Sequence, residues 1–264
     1  MILNATNLNP NAFEFFGFSV KWYGLAYAIA FLLAYYLLVY LTKKEHSEKM
    51  TPKFWDGFLL YAILGIILGG RLGYVLFYNF PQYLANPLEI FAVWKGGMSF
   101  HGGGLGLLTG AYLFSKKENV KFFNLADYLM LAAPIGLFFG RIANFINQEL
   151  YGKFTDGSWG VIFNGETNPR YPTQLFEAFF EGIVLFIVML VLYKKTNVMK
   201  KHGMMTGIFF ILYAIFRSSV EFFRLPDVQL GYLLGTNWLT MGMVLCIPML
   251  LIGIGLVWMS GGKK

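Results

Sequence analysis

The chain has 264 residues, of which 57% are hydrophobic, 19% aromatic and 13% charged, with a formal net charge of +7. Such a composition excludes a disordered chain and an ordinary soluble domain, and it marks an all-α integral membrane protein. The basic excess implies no nucleic acid, because it sits in short loops between apolar runs, as anchoring beside an anionic membrane surface requires.

A helix needs about 20 apolar residues to cross a hydrocarbon layer of roughly 30 Å. Seven runs predict seven transmembrane helices in a single membrane domain, 1–264, at 20–41, 54–78, 99–114, 123–146, 174–193, 204–224 and 237–258. The residues ahead of the first run lack a basic n-region, so that run is read as a retained helix, not a cleavable signal. In the second, Gly65, Gly69 and Gly73 recur at every fourth position as a packing stripe, and Arg71 lies among them in "GGRLGY". The stretch 79–98, with "FPQYLANPLEIFAVWKGG", reads as an interfacial segment. The third run is the shortest and richest in glycine. It opens with "SFHGGGLG", where Gly102–Gly104 admit close approach of a backbone or a ligand beside His101.

The fourth run leads into "GRIANFINQELYG", Gly140–Gly152, an unusual density of polar side chains at the end of a membrane-length segment. The glycine-rich stretch 147–172 predicts an extracytoplasmic loop or small head. "RYPTQLFEA" brings Gln174 and Glu177 to the start of the fifth run. The seventh holds Cys246, the single cysteine, which reads as a small inert hydrophobe; disulfides, thiolate-bound metal and a thiol nucleophile of the enzyme are not expected.

The loops 43–53, 115–121 and 194–202 and the tail carry 13 Lys and Arg, against 3 in the alternating segments before 21, at 79–97, at 146–172 and at 225–236. The positive-inside rule therefore places the N-terminus outside and the C-terminus in the cytoplasm. Of the remaining basic residues, Lys21 can snorkel from a helix start. The other four, Arg71, Arg141, Arg217 and Arg224, lie within apolar runs or at their last turn, all in the half nearer the outer face. An arginine at mid-helix costs about 2.5–3.5 kcal/mol on translocon scales. One alone reads equally well as a helix lock; four at one depth read as a site.

In the sixth run Tyr213, Arg217, Glu221 and Arg224 fall at i, i+4, i+8 and i+11 and share one stripe. Glu221 can pair with either arginine of that stripe, which leaves one positive charge over. Arg141, Asn144 and Gln148 share a face of the fourth run. Tyr23 and His101 begin the first and third runs at the same depth. His101 reads either as a hydrogen-bonded interfacial histidine or as a base. Arginine's planar fork suits phosphate oxygens, and the outer leaflet presents phospholipid headgroups at that depth. No "GxSxG", "HExxH" or Cys/His metal spacing occurs, so serine acyl transfer and zinc hydrolysis have no support.

These residues carry a resemblance. "GRIANFINQELYG" resembles the signature of the bacterial prolipoprotein diacylglyceryl transferases, G-R-x-x-N-F-x-N-x-E-x-x-G, at all its fixed positions. "WYGLAY", "GGRLGYVLFY", "SFHGGGLG", "YPTQLFEA" and "FRSSVEFFRLPD" follow in family order over nearly the whole chain. The resemblance implies transfer of the sn-1,2-diacylglyceryl group of phosphatidylglycerol to the lipobox cysteine of a preprolipoprotein, with a thioether and glycerol 1-phosphate as products and no metal or organic cofactor. It implies that Arg141, Asn144, Glu149 and Gly152 are signature residues, with Arg141 on phosphatidylglycerol. Tyr23, His101, Tyr213, Arg217, Glu221 and Arg224 stand at the family's other functional positions. Arg141 and Arg217, with Arg224 and Arg71, are the expected phosphate contacts, His101 the expected base, and Glu221 with Tyr213 the groups that orient Arg217. Where the family commonly has histidine and tyrosine, this chain has Tyr171 and Phe176, and no role is carried over to Tyr171.

Two other classes compete with this reading. A lipid or anion transporter should show polar residues along the full membrane depth, yet the inner halves of the fourth, sixth and seventh runs are almost wholly apolar. A retinal protein needs a lysine in the seventh run, which has none.

Overall fold

A computed structural model describes residues 1–15, 18–45, 47–77, 80–93, 96–226 and 231–262; the side chains of Phe15, Phe18, Phe77, Phe100 and His101 lie outside that description. The chain is mostly helical. Among the described residues six helices are long and apolar enough to cross a membrane: Trp22–Lys44, Pro52–Leu76, Phe122–Ile146, Thr173–Lys195, Met204–Glu221 and Met241–Gly261. This is the pattern of a multi-pass membrane protein. The segment expected as a third span forms an 18-residue helix, Phe100–Lys117, which is not among the six. Gly102, Gly103, Gly104, Gly106 and Gly110 dilute its apolar character.

The residues fall into two compact units, Leu38–Ala126 and the remainder, Met1–Leu37 with Asp127–Lys264. The first contains α2 (Pro52–Phe77), α3 (Phe80–Ala85), a 3₁₀ turn at Pro87–Phe91 and α4 (Phe100–Lys117). The last three of these elements begin in or follow the stretch expected at the interface, of which residues 79, 94 and 95 lie outside the described ones. Helix α2 carries two stripes with different tasks. Leu60, Leu64, Leu68, Leu72 and Leu76 are all exposed, a surface suited to acyl chains. About 100° round the helix, Gly65 and Gly69 face α4 so closely that a methyl group on either would fall on the backbone at Gly106 or Gly102, and a methyl on Gly110 would meet the Tyr61 carbonyl. Where lipid competes for apolar surface, such close backbone contact is what holds two helices together. Gly104 meets nothing within 4 Å. At the other end of the seam Phe114 is buried against Phe54, Phe58 and Tyr61, and Trp55 Nε1 donates to Thr42 Oγ1 at 3.0 Å.

The second unit holds most of α1 (Trp22–Lys44) and α5 (Phe122–Ile146). A composite span follows, formed by α6 (Thr173–Glu177), a π-helical stretch at Ala178–Val184 and α7 (Leu185–Lys195). The unit ends with α8 (Met204–Glu221) and α9 (Met241–Gly261). Helices α8 and α9 meet where Gly207 and Gly253 approach each other's carbonyls. Asp127 on α5, fully buried, accepts from Gly203 N at 2.7 Å and from Thr206 N and Oγ1 at 2.8 and 2.7 Å. A carboxylate from another helix thus satisfies the orphan donors that start α8.

Small β elements complete this unit. β1 (Ile2–Asn4) pairs in parallel with β4 (Gly160–Ile162), and β2 (Asn11–Phe15) pairs with β3 (Phe18–Lys21) as an antiparallel hairpin. Val161 and Phe163 bury Ala5, with Leu8, Phe145 and Tyr151 against them. Tyr151 stacks on Phe163 at 4.9 Å. Burial, and the Glu166 carboxylate that accepts its hydroxyl at 3.2 Å, raise the Tyr151 hydroxyl above the ordinary phenol range. Arg170 lies over Phe154 and Tyr151 and pairs with Glu166 at 2.9 Å.

Candidate functional site

Arg141 sits in the last turns of α5, with a side chain 14% exposed. Its Nε is 3.0 Å from Glu177 Oε2 and its Nη2 3.8 Å from Glu181 Oε2. Nη1 donates to Asn144 Oδ1 at 3.5 Å, and Asn144 Nδ2 passes the chain on to Glu149 Oε1 at 2.7 Å. The i, i+3 spacing on one helix face brings Arg141 and Asn144 together.

The polar stretch beyond α5 holds two non-glycine residues in the left-handed region, Gln148 and Leu150, each with φ of 58°. Such backbone costs of order 1–3 kcal/mol per residue and persists where surroundings over-determine it. Gln148 Nε2 donates to Leu8 O at 3.2 Å, and its Oε1 accepts from Asn164 N at 2.6 Å. The carbonyls of Glu149 and Leu150 accept from Gln174 Nε2 at 2.6 Å and Thr173 Oγ1 at 3.0 Å, both donors belonging to buried residues of α6. Gly152 then runs beside the chain that leaves α8, bridged to Arg224. Its N donates to Tyr171 O at 2.8 Å, and any Cβ there would collide with the Phe223 carbonyl, Thr173 and Tyr171. The polarity of this stretch therefore holds a strained turn against α6 and α8 as well as presenting Arg141.

On α8 the expected stripe appears up to Glu221, where the helix ends; Arg224 lies in the turn that follows, its N donating to Glu221 O at 3.2 Å. Arg217 Nη1 bonds Glu177 Oε1 at 2.8 Å and contacts Glu221 Oε2 as well. Arg224 Nη1 is 3.9 Å from the same Glu177 oxygen. A Cβ on Gly242 of α9 would come within 3.0 Å of Glu221 and 3.1 Å of Arg217, so that glycine leaves room for their pair. Tyr213 is buried, stacked on Phe209 at 6.0 Å, within electrostatic range of Arg141, Arg217, Glu177 and Glu181.

Three guanidiniums, from α5, α8 and the turn after α8, thus converge on Glu177. The positive charge left over when α8 is counted by itself disappears once the composite span is present, because Glu177 and Glu181 supply the balance. The sequence patterns above do not single out Glu181, and they give Glu177 no partner. The signal was two acids four residues apart inside the apolar "TQLFEAFFEGIVLF", which must find cations when buried. A buried ion-pair network is weak grounds for stability; its chemical content is an anion position between Arg141 and Arg217, now filled by a carboxylate.

Tyr23 starts α1, and its hydroxyl is 3.2 Å from that of Tyr27, with Arg141 and Glu149 in electrostatic range. Arg71 belongs to the Leu38–Ala126 unit. Its Nε donates to Ile90 O at 2.8 Å, Nη1 to Gly96 O and Gly97 O at 2.6 and 3.2 Å, and Nη2 to Glu89 O. That geometry fits a clamp on the backbone carbonyls of Glu89, Ile90, Gly96 and Gly97. It borders a cavity of about 320 Å³ also lined by Tyr74, Gln82 and Tyr83. His101 lies in the first turn of α4, and its side chain is outside the described residues.

Residues 10–259 match the family model described as prolipoprotein diacylglyceryl transferase. Proteins named phosphatidylglycerol–prolipoprotein diacylglyceryl transferase are similar over almost their whole length. The one from Rickettsia felis is 47% identical over 258 residues, 97% of this chain and 98% of the relative. That from Rickettsia typhi is 47% identical over 95% of this chain and 96% of the relative. That from Rickettsia canadensis is 46% identical over 96% and 97%.

Proposed function

The chain belongs to the prolipoprotein diacylglyceryl transferase family, and from that premise we propose that it moves the sn-1,2-diacylglyceryl group of phosphatidylglycerol onto the lipobox cysteine of a preprolipoprotein, the first step of lipoprotein maturation. The observation that carries this reading for the site is the pairing of Arg141 and Arg217 with one buried carboxylate, Glu177. A phosphodiester can take the place of that carboxylate with its two non-bridging oxygens.

In the reaction the thiol sulfur attacks C3 of the glyceryl group and the C3–O bond breaks. The electron pair goes to the phosphate oxygen, the thiol proton is lost, and the products are the thioether and glycerol 1-phosphate. The enzyme supplies no nucleophile. Arg141 and Arg217, with Arg224 beside them, meet the charge that grows on the departing phosphate. Donors held in place for developing charge are most effective in a dry site. Glu221 and Tyr213 orient Arg217, Asn144 and Glu149 orient Arg141, Tyr23 borders them, and Gly152 lets the signature turn close on the chain after α8. Arg71 acts through the backbone it clamps, and His101 takes the thiol proton. Alignment of two bound substrates lowers the barrier further.

The protein is a seven-span protein of the bacterial cytoplasmic membrane, with α4 as the third span, the N-terminus outside, the C-terminus in the cytoplasm and the site toward the outer leaflet. The support for this is the 13 to 3 partition of basic residues. Residues 79–98 lie at the interface and 147–172 form an extracytoplasmic head. The test is incubation of the purified protein with labelled phosphatidylglycerol and a lipobox peptide. Mass spectrometry should find the diacylglyceryl group on the cysteine; a peptide that stays unmodified while a relative modifies it refutes the assignment.

A further inference from the structure

Glu181 stands apart in the charge cluster. Its side chain is 0% exposed, and neither oxygen accepts a hydrogen bond from any described residue. Its nearest cation is Arg141 Nη2 at 3.8 Å, whereas Glu177 and Glu221 make closer pairs with Arg217. The π-helical stretch Ala178–Val184 begins just after Glu177 and contains Glu181. Widened turns of this kind occur mostly at functional sites, and here both acids reach the one arginine. The charged and titratable groups around Glu181 are Arg141 on α5, Glu177 on α6, Tyr213 and Arg217 on α8, Arg224 after it, and Cys246 on α9.

With every acid ionised, Glu177, Glu181 and Glu221 match Arg141, Arg217 and Arg224 in number. A phosphodiester monoanion seated on the arginines adds one negative charge that nothing in the cluster offsets, in a setting where an uncompensated charge is costly. We propose that Glu181 takes up one proton from solvent when phosphatidylglycerol docks on Arg141, an inference that rests on the phosphate reading of the site. The only bond made is O–H. Arg141 passes from the carboxylate to the phosphate, and the neutral carboxyl gains a donor to turn toward its neighbours. Glu181 is then a residue that couples lipid binding to pH.

The experiment is calorimetric titration of the purified full chain with short-chain phosphatidylglycerol, in buffers of different protonation enthalpy, from pH 6 to 9. The wild type should take up about one proton per lipid at the alkaline end, and its affinity should fall up to about tenfold per pH unit there. Glu181→Gln, a fixed copy of the neutral acid, should bind without proton uptake, with affinity flat in pH and tighter than wild type at pH 9. Binding by the wild type without proton uptake, or uptake retained in Glu181→Gln, overturns the role of Glu181 and leaves the transferase reading standing. Failure of the wild type to bind the lipid at all overturns both. If the glutamine variant does not fold, Glu181→Asp decides: uptake should persist with its pH dependence displaced, and an unchanged profile refutes the role.

Discussion

Arg217→Lys isolates the geometry of the clamp from its charge. One nitrogen of Arg217, Nη1, bonds Glu177 at 2.8 Å and touches Glu221, so the fork is fixed by acids on two elements. Removal of the charge outright, as in Arg217→Ala, would take one cation away from two buried carboxylates, and breaking a buried pair in that way costs about 3–5 kcal/mol. Lost activity in that variant would be mixed with lost stability. Lysine keeps the charge, and Glu177 keeps Arg141 Nε at 3.0 Å, so the fold should survive with at most a modest fall in melting temperature. What lysine lacks is the second in-plane donor that a phosphate needs. Loss of one donor aimed at developing charge costs about 10²–10³-fold in turnover, equivalent to roughly 2.7–4 kcal/mol. The assay is initial rate of peptide lipidation at saturating phosphatidylglycerol, with circular dichroism in parallel. A fully folded Arg217→Lys that retained more than about a third of wild-type turnover would show that Arg217 acts as a point charge or a helix lock, and the clamp would have to be abandoned.

Four further outcomes are expected. His101→Gln should slow transfer most at low pH and progressively less as pH rises past a thiol pKa of about 8.5; a rate ratio to wild type that stays flat from pH 6 to 9.5 removes His101 from the base role. Gly106→Val should force α2 and α4 apart and lower thermal stability in detergent, whereas Gly104→Ala, with nothing within 4 Å of its added methyl, should be neutral; equal melting temperatures for the two variants would contradict the seam. Asp127→Ala should destabilise by leaving two buried N–H donors at the start of α8 unsatisfied, at about 1–3 kcal/mol each, with Asp127→Asn milder; unchanged stability of both would deny the cross-helix cap. Asn197→Cys should react with an impermeant thiol reagent only from the cytoplasmic side, with Cys246 buried and silent; labelling from outside would invert the topology.

The helices were legible because membrane-length apolar runs have few other solutions. The fourth run, expected at 123–146, is Phe122–Ile146 in the structure. Ends are less well marked: the sixth helix stops at Glu221, three residues short of the expected limit, and Arg224 lies beyond it, bridged to Gly152 and 3.9 Å from Glu177. The glycines of α2 announce their packing role by spacing, whereas Gly102–Gly104 of α4 read as open to either a backbone or a ligand, and it is the α2 backbone that Gly102 and Gly106 meet. Contacts distant in sequence were invisible: β1 with β4, Asp127 with Thr206, and above all Glu177 between Arg141 and Arg217. Helical spacing predicts which residues share a face of one helix. Charge balance is a property of several helices together, which is why α8 read alone as electropositive.

Arginine-assisted departure of phosphate from a carbon centre under attack by a peptide thiol fixes which bond breaks. Its most direct measurement uses phosphatidylglycerol carrying ¹⁸O in the bridge between glyceryl C3 and phosphorus, turned over with a lipobox peptide. The expected products are diacylglyceryl peptide free of ¹⁸O and glycerol 1-phosphate that contains all of it. Label retained on the lipid fragment, or phosphorus found on the peptide, would contradict attack at carbon and with it the site as described.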